Sequence, residues 1–79
     1  MKYETTYQAG GMVQAGDRQI IPIEKLSVMR VAGFLSVQKT GVGLLITEGE
    51  RQYLFPLQDG ITLLWVGEHL PELLRDPLL

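Results

Sequence analysis

Between Gly33 and Val66 four apolar runs are separated by three turn signals, and one antiparallel register satisfies all of them. Pairing outward from Thr40-Gly41 sets Val37 opposite Leu44 and Leu35 opposite Ile46. Pairing outward from Gly49-Glu50 sets Glu48 opposite Arg51, Ile46 opposite Tyr53 and Leu44 opposite Phe55. The loop Gln58-Asp59-Gly60 sets Leu57 against Ile61, Phe55 against Leu63 and Tyr53 against Trp65. Directly opposed residues share a face, so one face collects Leu35, Val37, Leu44, Ile46, Tyr53, Phe55, Leu57, Ile61, Leu63 and Trp65. A one-residue slip would send that set to the other face. The pattern predicts a four-stranded antiparallel meander over residues 34–66, with Phe55 and Trp65 among the most buried side chains. It predicts a fold and no chemistry.

The turns carry physical signatures. Gly49 stands at the first central position of a two-residue loop, where a type II′ turn needs positive φ. Gly60 ends a three-residue loop, where a type I turn with a bulge takes a left-handed residue. Thr40-Gly41 is the weakest of the three, and the whole of Lys39–Gly43 is an alternative loop. Towards the N-terminus, Tyr3, Thr5 and Tyr7 alternate with polar residues as a half-wet strand does. Met12–Gln14 is a stub between the glycine-rich turns at Gly10-Gly11 and Ala15-Gly16-Asp17. Arg18–Ile23 reads as a strand that Pro22 confines to a sheet edge or ends, since proline has no amide donor. Glu24-Lys25-Leu26 is a candidate helical turn. Ser27–Val31 extends the Phe34 strand through a bend at Ala32-Gly33.

After Val66 the periodicity changes. Gly67 breaks the strand, Pro71 suits a first helical turn, and Leu70, Leu73 and Leu74 fall on one helical face. Asp76-Pro77 disfavours continuation. The expected architecture is mainly β: an antiparallel meander forming a small roll or barrel, with one short C-terminal α-helix, in a single small domain of 79 residues. In topology alone, strands followed by one C-terminal helix resemble pleckstrin-homology-type or SH3-like rolls; no motif in the sequence assigns a family.

The second face of the meander mixes Phe34, Leu45, Leu54, Leu64 and Val66 with Ser36, Gln38, Thr47, Gln52 and Thr62, more apolar than a wet face usually is. The C-terminal helix, curling of the sheet, or another chain would have to cover it. A small chain has little material for three layers, so a protein partner, self as a dimer or heterologous, is expected. Phe34, Leu45, Leu54, Leu64, Leu70, Leu73 and Leu74, with the Leu78-Leu79 tail, form the expected partner-binding surface.

Composition narrows the function classes. Formal net charge is −2, and the seven Lys and Arg are spread singly, so nucleic acid is an unlikely partner. The absence of cysteine fits a reducing, cytoplasmic setting, and no apolar run is long enough to span a bilayer as a helix. The lone His69 cannot make a zinc site, which takes three or four clustered ligands. Glu48 and Glu50 flank a turn, where carboxylates are ordinarily solvated. Gly41-Val42-Gly43 lies between strands and lacks the helix N-terminus that phosphate loops use. No catalytic residue, metal ligand or cofactor is expected. The expectation is a non-enzymatic interaction module, acting as a subunit, adaptor or regulator. The alternatives are a small barrel that binds a small molecule or nucleic acid, and an enzyme whose site is completed at a subunit interface.

Overall fold

The computed structural model describes residues 2–74 and shows an antiparallel sheet curled into a half-barrel, with one short helix near the C-terminus. The strands are β1 (Lys2–Ala9), β2 (Val13–Ala15), β3 (Arg18–Val31), β4 (Phe34–Glu48) and β5 (Arg51–Pro56). Helix α1 (Leu63–His69) and a single 3-10 turn, Pro71–Leu73, follow. The sheet order is β1-β3-β4-β5, and β2 pairs with β3 beyond the end of β1.

The β3–β4 hairpin dominates the shape. Fifteen residues of β4 at ~3.3 Å each span about 50 Å, and the longest dimension of the molecule is 49 Å. Its turn is Ala32-Gly33, where both residues have positive φ (43° and 82°), as a type I′ loop requires. Ala32 accepts a left-handed backbone that disfavours any side chain. The Gly49 turn forms where expected, with φ +60° and Glu48 opposite Arg51, Ile46 opposite Tyr53 and Leu44 opposite Phe55.

The other two expected loops do not turn the chain as strand-to-strand hairpins. Lys39–Gly43 runs straight through β4, paired with β3 and marked by a bulge: Ile23 faces Gly43 and Glu24 faces Gly41, which leaves Val42 as the extra residue. The glycines on either side let the strand kink there. Gln58-Asp59-Gly60 leads into a helix rather than a fourth meander strand. The apolar run Leu63–Val66 fits either state by length. Thr62 decides it by accepting a hydrogen bond from the Trp65 amide through its hydroxyl (3.1 Å), as an N-cap does. The helix therefore begins at Leu63 instead of near Leu70, and Pro71 opens the 3-10 turn instead.

Pro22 is also placed differently. It lies within the central strand β3, paired with Leu44. On its other side the Pro22 carbonyl accepts from the Gly10 amide (2.7 Å), at the break between β1 and β2, where a missing donor costs no ladder bond. Glu24–Leu26 continue β3 as strand, not helix.

The helix decides which face is the core. Ile23, Val42, Leu45, Ile61, Val66 and Leu70 are buried together, with Tyr7, Ile21, Leu54, Leu63, Trp65, Leu73 and Leu74 packed around them. This is the concave face, opposite to the one expected: Leu45 is fully buried, whereas Phe55 is 58% exposed and Trp65 is only half-buried. The reason is the helix. With Leu63–His69 out of the sheet, Ile61, Val66 and Leu70 cover the face that carries Leu45 and Leu54. Gly43 permits the contact, since a Cβ there would stand 3.2 Å from Ile61 Cγ2. The Gln52 amide ties the last segment to the sheet, donating to the Leu73 carbonyl and to the buried Thr47 hydroxyl, each at 3.1 Å.

Two expected outcomes test the exchange of faces and the cap. Leu45→Ala should destabilise the chain by about 2–5 kcal/mol, as large-to-small core changes do, while Phe55→Ala should cost far less in chemical unfolding. Thr62→Ala should cost about 1 kcal/mol through the lost cap, read as a lower unfolding midpoint with unchanged slope.

Candidate functional site

The convex face of the sheet is apolar over β2 to β5, while β1 brings Lys2, Glu4, Thr6 and Gln8 to it. Register sets Val13, Ile20, Ile46 and Tyr53 in one row across four strands, and Pro22, Leu44 and Phe55 in the next. Further along the hairpin, Val28 faces Val37 and Arg30 faces Leu35 on the same side. Leu35, Val37 and Phe55 are each 58% exposed, and Tyr53 is 45% exposed. These residues share one side because β3, β4 and β5 alternate in phase, in two apolar patches with Glu24, Gly41 and Lys39 between them.

Charged groups frame this surface. Arg18 Nε meets Glu48 Oε2 at 2.6 Å at one end. Glu24 takes the Lys39 ammonium at 3.8 Å and accepts from the Gln8 amide at 3.3 Å near the middle. Hydrogen bonding to Tyr53 and the attraction of that group raise the pKa of Arg51 above its ordinary value, keeping a fixed cation beside the exposed phenol ring. Such exposed pairs contribute little stability; their effect is to give the apolar surface a polar rim.

The distal half of the hairpin is thinner than the rest. β5 pairs with β4 only between Gly43 and Glu48, so among the described residues Phe34–Gly41 has β3 on one side and no strand on the other. On the concave side of this arm, Phe34 is 78% exposed. Met29, Val31, Ala32, Phe34 and Ser36 line an open hollow of about 310 Å³. Hydrogen bonds with Ser27 and then Thr5, with a smaller contribution from Lys25, lower the pKa of the Tyr3 hydroxyl beside it.

The residues expected to bind a partner separate into two groups. Leu45 and Leu70 are buried under α1, and Leu54, Leu73 and Leu74 pack against the same core, so the chain itself covers them. Phe34, beside the turn of the β3–β4 hairpin, and Leu64, on α1, are exposed. Arg75 and the Leu78-Leu79 tail lie outside the described residues. Sequence reasoning misses the convex face as a surface because that face carries more apolar residues than the one α1 covers. The Gly-Val-Gly bulge was the available signal.

His69 stacks on Trp65 (centroids 4.3 Å apart, 18° between planes), and Tyr7 meets both rings edge-on. Its Nδ1 lies 3.0 Å from the Trp65 carbonyl oxygen, so the imidazole closes the last turn of α1. Among the described residues no group of three His, Cys, Asp or Glu is placed to hold a metal ion, and no helix is long and apolar enough to cross a membrane. The concave side, where a ligand of a small barrel would sit, is occupied near the helix by Ile61, Val66 and Leu70. Comparison with protein-family models, with curated proteins and with solved structures returns no match to this chain.

Proposed function

We propose that this chain is a non-enzymatic protein-interaction module that works through its convex face, with Leu35, Val37, Tyr53 and Phe55 at the exposed centre. The observation that carries this reading is that four large apolar side chains on one side of the sheet, Leu35, Val37, Tyr53 and Phe55, stay exposed, where a solvated sheet face is ordinarily polar.

Exposed apolar patches bordered by charged groups are the usual anatomy of a recognition surface. Net charge of −2 with dispersed cations favours protein over nucleic acid as the partner. A cysteine-free sequence is consistent with a cytoplasmic setting.

A photoreactive phenylalanine analogue at position 55 tests the reading in cells of the native host. Crosslinking there should give adducts of discrete mass, and the same probe at the exposed turn residue Asp59 should give none. Absence of adducts from position 55, or identical patterns from both positions, rejects the module.

A further inference from the structure

The free edge of the arm carries a more specific conclusion, which rests on the interaction reading above and names the partner. We propose that Gly33–Lys39 of β4 is a pairing edge for a second copy of this chain, antiparallel about a two-fold axis at Ser36. The two sheets join there into one.

The backbone supplies the first reason. The two-residue loop Ala32-Gly33 makes Val31 and Phe34 its closing pair, and such a pair exchanges hydrogen bonds. Alternation along an antiparallel ladder then turns the amides and carbonyls of Phe34, Ser36 and Gln38 towards β3. Those of Leu35, Val37 and Lys39 point away from it, at an edge with no strand partner among the described residues. Natural sheets guard an edge of this length with proline, a bulge or inward charge. Here the segment has no proline, the bulge lies beyond it at Val42, and its single charge, Lys39, already lies 3.8 Å from Glu24.

The side chains supply the second reason, because one register is self-complementary. With Ser36 on the axis, Leu35 stands opposite Val37 of the partner subunit, and Val37 opposite Leu35 of the partner subunit. This makes a four-residue apolar cluster on the convex face, beyond the Lys39–Glu24 ion pair from Tyr53 and Phe55. Opposed apolar pairs stabilise a sheet, and the two Ser36 hydroxyls can bond to each other. Lys39 falls opposite Gly33 of the partner subunit, so no like charges oppose each other. Registers shifted inward by one or two positional pairs bring the tip of one arm against the Gly41–Gly43 region of the other. There the Leu57 amide already bonds the Val42 carbonyl (2.9 Å) and the Leu57 side chain stands beside Gly41. The Ser36 register stops short of that obstruction. A two-fold closes on itself, as identical chains most often do.

The chain has no cysteine, so a single introduced thiol reports the register. Ser36→Cys puts two sulfurs across a non-hydrogen-bonded pair with Cα atoms about 4.5 Å apart, within disulfide reach. It should give a covalent dimer on mild oxidation. Gln38→Cys separates the two thiols by about 13 Å along the strands and should not crosslink. Val37→Pro removes an outward amide that β3 does not use. The variant should keep the parent circular dichroism while light scattering falls from dimer to monomer mass. A monomeric parent chain, equal crosslinking at positions 36 and 38, or a Val37→Pro protein that remains dimeric overturns the pairing edge. If adducts from position 55 persist in any of those cases, the interaction module stands and the edge alone is wrong.

Discussion

Everything in this chain depends on the docking of Ile61, Val66 and Leu70 into the trough made by Ile23, Val42 and Leu45. Neither side of that contact is stable alone. A seven-residue helix is far below the length that persists in water, and a single sheet layer has no core until something covers a face. The contact is close because Gly43 has no side chain where Ile61 approaches. The tie from Gln52 to Leu73 then fixes the segment that follows.

That contact covers only one end of the sheet. The hairpin continues past it, and among the described residues no layer covers either face of the distal parts of β3 and β4. A chain of this size with a six-residue core is near the lower limit of what burial can hold. Extending it by an uncovered arm adds ordering cost without adding buried area. Such an arm is reasonable where something outside the chain covers it, which links the stability of the fold to the proposed assembly.

Legibility in the sequence follows the same physics. The Gly49 hairpin was readable because turn chemistry and side-chain alternation agree over Glu48–Arg51, Ile46–Tyr53 and Leu44–Phe55, and the pairing is local. Leu63–Val66 was not, since four consecutive apolar residues satisfy a buried strand and a helix equally; only the Thr62 cap separates them. The choice of core face followed from that error, because moving Ile61, Leu63 and Trp65 out of the sheet removed three members of the more apolar face. Pro22 was misplaced for a different reason. Proline is excluded from central strands only where its missing donor has a partner waiting, and the break at Gly10–Met12 removes that partner. The convex surface was present in the sequence as residues and hidden as a location.

The bulge at Val42 also has a meaning for how such a chain can vary. Side chains alternate with a period of two, so one extra residue reverses the parity of everything on its far side. Leu35 and Val37 are convex while Leu45 and Thr47 are concave because Val42 is an unpaired extra residue; the same strand without a bulge would put all four on one side. Deleting position 42 would leave Gly41 and Gly43 as neighbours opposite Glu24 and Ile23, so straight pairing would keep the present faces. A chain that kept the residue and lost the bulge would instead slip the arm by one position against β3 and turn Phe34, Ser36 and Gln38 to the outside.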